Sequence, residues 1–215
     1  MQIERCRDAE EAALYAAEAL ADAARPGANL GLAGGSTPMR AYERLDGLDD
    51  VAWDGVHLWY GDERCVPHDH EDSNHGQVRT RLRADGAVWH PMPGTLGPDE
   101  GAKAYADELG SAIQDLLLLG MGPDGHTASL FPEHPLLDAT GLTAGISDSP
   151  KPPPERITLT LPYVNASRRI VLLVTGEEKA AALARVLRGP DRAAPASLLA
   201  RDRLTIVADA AALDA

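Results

Sequence analysis

Cysteine is scarce in this chain: Cys6 and Cys65 are the only two among 215 residues. Two thiols so far apart make neither a disulfide framework nor a zinc knuckle, so the expected compartment is a reducing one, the cytoplasm. Long apolar runs are missing too. No stretch approaches the roughly 20 residues a spanning helix needs, and MQIERCRDAEEAALYAAEAL lacks the cationic start and apolar run of a secretory signal. Basic charge is the third shortage. Lys and Arg number 20 against 33 Asp and Glu, a formal net charge of -13. Such a chain repels nucleic acid and acidic membrane surfaces, whose binding needs clustered Lys and Arg, so neither is an expected partner. Three catalytic signatures are also absent. Without a Walker lysine a nucleoside triphosphate is disfavoured, without G-x-S-x-G a serine hydrolase lacks its nucleophile, and without H-E-x-x-H a zincin lacks its ligands.

What is present suits an ordinary globular protein: 44% hydrophobic against 25% charged residues. The length favours one sizeable core, and a single domain over 1–215 is expected. Residues 8–24 carry Ala12, Ala16, Leu20 and Ala23 at helical spacing behind an acidic first turn. Then ANLGLAGGSTP reads as strand, glycine turn and helix start. Further apolar strands are expected at 56–60, 115–119, 157–161, 169–175 and 204–208, with helices at 38–45, 73–83, 98–113 and 176–188. SPKPPP, residues 149–154, reads as a stiff extended loop. Apolar strands alternating with helices predict a doubly wound α/β fold, with a mostly parallel sheet covered by helices on both faces. GGST, GDER and DGHT each follow an apolar strand, so all three are expected at the carboxyl edge of the sheet, where such folds bind ligands.

Each segment has a chemical and a plain structural reading. Gly34, Gly35, Ser36 and Thr37 offer backbone N–H groups at a helix N-terminus, suited to a phosphate; glycine turns with hydroxyl caps are also ordinary connections. His126 is a candidate general base, with Asp124 to orient it, although a DGH triplet alone reads as a capped surface turn. Asp62, Glu63 and Arg64 set two carboxylates and a guanidinium at the end of a buried strand, where they either serve a ligand or pair with each other. Lys179 and Arg156 are possible anion ligands or solvated side chains. GMGPDG matches the dinucleotide fingerprint formally, but Asp124 would oppose the pyrophosphate and no acidic ribose ligand follows, so no nucleotide cofactor is expected. His68, His70 and His75 among Asp69, Glu71 and Asp72 have metal-ligand chemistry without a metal-site spacing; a solvated acidic loop is expected there, and no metal.

Taken in order, LGLAGGSTP, WYGDERCVP, DSNHG, LLLLGMGPDGHTASLFP, KPPPERITLTLP and VTGEEKAAAL resemble the 6-phosphogluconolactonase family over residues 29–188. The resemblance implies a fold shared with glucosamine-6-phosphate deaminases and ribose-5-phosphate isomerase-like proteins, and hydrolysis of 6-phospho-D-glucono-1,5-lactone without a cofactor. The deaminase is the rival: its segment looks like DGHIAFNEP, with a carboxylate after the histidine, where this chain has Thr127 to Pro132. Carried over by position, the resemblance makes His126 the base and the GGST turn, Arg64, Lys179 and Arg156 the anion-binding groups. Asp124, Asp62 and Glu63 all stay open as its carboxylate partner. The stretch 102–114 is shorter than the family leads one to expect, and the histidine-rich segment is longer. A monomer or weak homodimer is expected.

Overall fold

The computed structural model describes Met1 to Ala215. Its strands are β1 (Gln2–Cys6), β2 (Asn29–Leu32), β3 (His57–Tyr60), β4 (Asp62–Arg64), β5 (Val88–Trp89), β6 (Leu116–Gly120), β7 (Thr143–Ile146), β8 (Arg156–Leu159), β9 (Ile170–Val174) and β10 (Leu204–Asp209). Its α-helices are α1 (Ala9–Ala23), α2 (Ser36–Asp46), α3 (Asn74–Arg79), α4 (Pro98–Leu109), α5 (Leu161–Ala166), α6 (Ala180–Arg188) and α7 (Ala210–Asp214).

Seven strands form one sheet in the order β1-β10-β9-β6-β2-β3-β5, and every neighbouring pair is parallel. A parallel sheet needs both faces covered, which is why β6 (LLLLG) and β9 (IVLLV) carry almost uninterrupted buried apolar residues. Among the covering helices, α1 packs through Ala12, Ala13, Ala16, Ala17, Leu20 and Ala23, small side chains that let it lie close to the sheet and to α2. Asp8 caps α1, accepting the N–H groups of Glu10 and Glu11. None of the helices is long and apolar enough to cross a membrane.

From β2 the chain adds β3 and β5 on one side; β6, β9 and β10 then build out on the other. Strand order therefore reverses between β2 and β6, and the crevice beyond their carboxyl ends is the topological switch point. The turns that leave these two strands are GGST and GMGPDGHT.

Two expectations about the strands are corrected. The apolar segment expected at 157–161 is β8, and GDER, expected as a polar segment at the end of a strand, itself contains β4. These two strands pair antiparallel with β7 in a separate three-stranded sheet, with Arg64 opposite Arg156 and Asp62 opposite Thr158. Apolar periodicity identifies a buried strand but not its partner. Gly61 makes the switch: its N–H pairs with Leu32 of the large sheet and its carbonyl accepts Leu159 N–H of the small one. β1 was not anticipated, because QIERC is an edge strand with polar, exposed positions and no apolar run. The helix expected over 98–113 stops at Leu109, where Gly110 turns to φ 52°. The one expected over 176–188 divides into a 3-10 turn (Glu177–Lys179) and α6.

Candidate active site

A cavity of about 320 Å³ opens at the switch point. Its wall combines the GGST turn, Asp62 and Arg64 from β4, Asn74 at the start of α3, the loop from Gly120 to His126, Lys151, Arg156 and Lys179. The three polar segments are together at the carboxyl edge of the large sheet, and the fold has added groups from more distant parts of the chain.

His126 lies half-buried with Nδ1 2.5 Å from Oδ1 of Asp124. The same oxygen accepts the His126 backbone N–H at 3.3 Å. Burial alone would push the Asp124 carboxyl up, but the ring hydrogen bond, the charge of His126, the backbone donor and Lys151 together hold it well below the usual carboxylate range. An ionised Asp124 accepts a proton on Nδ1, which leaves Nε2 as the basic nitrogen, and Nε2 makes no hydrogen bond within the protein. The loop is shaped around this ring. A side chain at Gly122 would place its Cβ 2.1 Å from Cε1 of His126, so only glycine admits the imidazole there. Gly122 N–H donates to the carbonyl of His126, and Thr127 and Ser129 tie the far side of the turn to Gly120 O at 2.8 Å and Asp62 Oδ2 at 2.7 Å. Phe131 backs the ring at 5.0 Å, within a small apolar cluster with Leu130, Leu136, Leu137 and Ile146. GMGPDG thus folds onto its own histidine and does not form a pyrophosphate cradle.

Across the switch point, α2 begins at Ser36, so the N–H groups of its first turn point out of the helix. Lys179 reaches this turn, with Nζ 3.3 Å from Thr37 Oγ1. Burial pulls the Lys179 ammonium below its ordinary value, with Glu178 and Asp209 opposing. Arg64 donates to Asp72 O at 2.6 Å, while its Nε is buried without a protein partner. Asn74 gives its amide N–H to Asp62 O and Oδ1, at 2.8 and 3.2 Å, and its Oδ1 is likewise unpartnered. Gly34 makes room for that amide: a Cβ there would sit 1.9 Å from Asn74 Oδ1. Orphan polar atoms are costly to bury, and on a cavity wall they are the groups a polar ligand satisfies.

The carboxylates take three different places. Asp124 is the partner of His126. Asp62 lines the cavity, accepting Ser129 Oγ and Asn74 Nδ2, with Arg156 Nη1 3.9 Å away. Glu63, a candidate catalytic residue by sequence, is corrected: it is fully buried away from the cavity wall and accepts the N–H groups of Arg64, Asn74 and His75 and the hydroxyl of Ser73. It anchors the start of α3, because four converging donors are what one buried carboxylate can satisfy. Arg156, which also lines the cavity, has a structural task. Its Nε holds Pro153 O at 3.0 Å and its Nη2 holds the carbonyls of Lys151 and Pro152 at 3.0 and 3.1 Å, so it clasps the proline loop from beneath.

The histidine-rich segment is only partly the solvated loop expected. His75 packs against Tyr60, Trp89 and His68, its Nδ1 lying 2.8 Å from the Tyr60 hydroxyl, and burial depresses His75 to about 4. No three His, Cys, Asp or Glu side chains gather as a metal site. Two cavity residues escaped single-residue reading, Lys151 and Asn74. Each lay inside a segment carrying the family resemblance, KPPPER and DSNHG, and that was the available signal.

The sequence profile of the family described as glucosamine-6-phosphate isomerases/6-phosphogluconolactonase matches residues 5–207. A 6-phosphogluconolactonase of Homo sapiens is 45% identical, over 74% of this chain and 67% of that protein. The crystal structure of a 6-phosphogluconolactonase from Shewanella baltica OS155 superposes with a TM-score of 0.87 at 27% identity, covering 98% of both chains. The structure of a monomeric glucosamine-6-phosphate deaminase superposes with a TM-score of 0.86, over 99% of this chain and 98% of that one; at 24% identity it speaks for the fold alone. With the profile and the relatives in agreement, the chain belongs to the glucosamine-6-phosphate isomerase/6-phosphogluconolactonase family.

Proposed function

We propose that this protein hydrolyses 6-phospho-D-glucono-1,5-lactone to 6-phospho-D-gluconate, within the oxidative pentose phosphate pathway. One observation carries the reading: a histidine oriented by an ionised aspartate, with Nε2 free, shares a cavity with a helix N-terminus and a cluster of cations in a strongly acidic protein. The GGST turn and Lys179 hold the phosphate, with Arg64 as a further cation on the same wall. Nε2 of His126 removes a proton from water as the hydroxide adds to the lactone carbonyl. The tetrahedral oxyanion then collapses, the bond to the ring oxygen breaks, and the imidazolium returns its proton to that oxygen. Asp124 stabilises the imidazolium between these steps. No cofactor, metal or covalent intermediate enters the sequence, since a lactone carbonyl is already electrophilic.

A single domain over 1–215 fits the continuous apolar core that joins strands of both sheets. A reducing cytoplasm suits the two free thiols.

The test supplies the lactone freshly from an upstream dehydrogenase to metal-stripped protein and compares wild type with His126→Ala, subtracting spontaneous hydrolysis. The expected result is a wild-type rate far above background and a folded variant slower by about 100- to 10,000-fold. No excess over background in wild type overturns the assignment, and release of ammonia from glucosamine 6-phosphate would then favour the deaminase.

A further inference from the structure

Lys151 is an unexpected member of the His126 site. Its Nζ lies 3.2 Å from Nδ1 of His126 and 3.5 Å from Oδ2 of Asp124, so ammonium, imidazole and carboxylate form a triangle. Nδ1 already gives its proton to Asp124 and cannot also accept one from an ammonium. The contact between Lys151 and the ring is therefore electrostatic, and the hydrogen-bonding capacity of the ammonium faces Asp124.

The placement is built into the fold. The carbonyl of Lys151 accepts from Arg156 Nη2 at 3.0 Å and from Ser149 Oγ at 2.9 Å, and its N–H donates to Ser149 Oγ at 3.2 Å. Arg156, only 5% exposed, holds the next two carbonyls as well. The pinned backbone sets the point from which the side chain reaches His126 and Asp124.

We infer that Lys151 is a positioning residue that acts through His126, offsetting the charge of Asp124 so that the resting imidazole is neutral and its Nε2 is open. This rests on His126 being the base of the proposed hydrolysis. An aspartate hydrogen-bonded to a histidine favours the imidazolium, and a base that already carries its proton cannot accept another. A cation touching both partners opposes that effect. The same opposition makes the imidazolium a readier acid toward the departing ring oxygen. The other charged groups on the cavity wall are Asp62, Arg64, Arg156, Glu178 and Lys179; none hydrogen-bonds the imidazole, and Asp62 is engaged by Ser129 and Asn74.

The experiment uses Lys151→Met and Lys151→Arg in the full chain, with folding checked by circular dichroism. The His126 ring nitrogens are titrated by 15N NMR, and kcat and KM for the lactone are measured across pH. In Lys151→Met the His126 midpoint and the acid limb of kcat/KM should both move up by about one pH unit, as expected when a cation within about 4 Å is removed. At a pH on that limb, kcat/KM falls about tenfold while KM changes less than about threefold, and Lys151→Arg restores the limb. An unmoved midpoint overturns the proposal. So does a KM raised tenfold or more at every pH with the limb in place, which would make Lys151 a substrate ligand. Absence of hydrolysis in wild type would defeat the proposed function instead, and the NMR midpoint would still decide the effect of Lys151.

Discussion

Replacing Asp124 with asparagine removes one charge at constant shape and isolates what the carboxylate does for His126. In wild type, Oδ1 lies 2.5 Å from Nδ1 and also takes the His126 backbone N–H. In the proposed hydrolysis His126 becomes an imidazolium as water attacks. A unit charge about 4 Å away at an effective dielectric of about 20 interacts with it by roughly 4 kcal/mol, and partial exposure of Asp124 together with the opposing charge of Lys151 brings the useful part to about half of that. Two kcal/mol is about 30-fold in kcat, roughly. The amide adds a second loss, because it can turn its NH2 toward the ring, hold the tautomer protonated on Nε2 and silence the base, as happens in other His–Asp couples. The expectation is a drop of about 30- to 1,000-fold in kcat for Asp124→Asn with KM little changed. The variant should also lose stability at neutral pH. The native value of Asp124 is depressed, so its contribution is complete above the ordinary carboxylate range and disappears as pH falls through the native value. Thermal midpoints of wild type and variant should therefore differ at pH 5 to 8, and the difference should begin to shrink only below about pH 4, closing as pH approaches the depressed native value. A folded Asp124→Asn enzyme within about threefold of wild-type kcat refutes the claim that Asp124 supports the base.

Lys179→Met should raise KM by about 10- to 100-fold, through loss of a charge-assisted contact to the phosphate, and should raise the thermal midpoint. Burial lowers Lys179 in the native state, so its charged form destabilises the fold below that value, and a methionine of similar length relieves this; a lower midpoint in differential scanning calorimetry would contradict it. Glu63→Gln should cost about 2 to 4 kcal/mol in urea unfolding, because an amide nitrogen would face donors from Ser73, Asn74, His75 and Arg64. Burial pushes Glu63 up while those donors pull it down, and a neutral isostere within about 0.5 kcal/mol of wild type would mean that the native carboxyl is protonated. Gly122→Ala should reduce kcat far more than stability: its Cβ would overlap Cε1 and Nδ1 of His126, and a ring can swing toward the open cavity more readily than the loop can move. Equal kcat in the two proteins would show that the ring has other room.

Much of the site was legible because its chemistry is local. GGST and DGHT each place a turn and its polar groups within a few residues, although no hydroxyl caps α2, and an apolar strand before each assigns it to the carboxyl edge. Groups brought in by tertiary pairing were not legible in the same way. Arg64 and Arg156 face each other in an antiparallel register that no local pattern encodes, so their different tasks, cavity wall and loop clasp, could not be told apart. Glu63 and Asp62 are neighbours in sequence, yet strand alternation sends them to opposite faces of β4, one into the start of α3 and the other to the cavity. Placed together at a strand end, they showed no period of two that would have separated them. Lys151 reads as loop polarity until Arg156 is seen holding its carbonyl.

These placements also account for how a chain with net charge -13 receives an anion. Several of its acidic residues are paired at the surface, as Asp46 and Asp138 are with arginines, or engaged as caps, as Asp8 is. The cations of the cavity are held differently. Arg64 retains an unpartnered Nε, Arg156 is committed chiefly to neutral carbonyls, and Lys179 rests on a hydroxyl. None is neutralised by a close bidentate carboxylate, and with Lys151 these cations outnumber Asp62 and Glu178 on the cavity wall of an otherwise acidic protein. The desolvation penalty of these groups is carried by the folded protein before any ligand arrives, which in the proposed hydrolysis would leave more of the phosphate contact free energy for holding the carbonyl against the water beside His126.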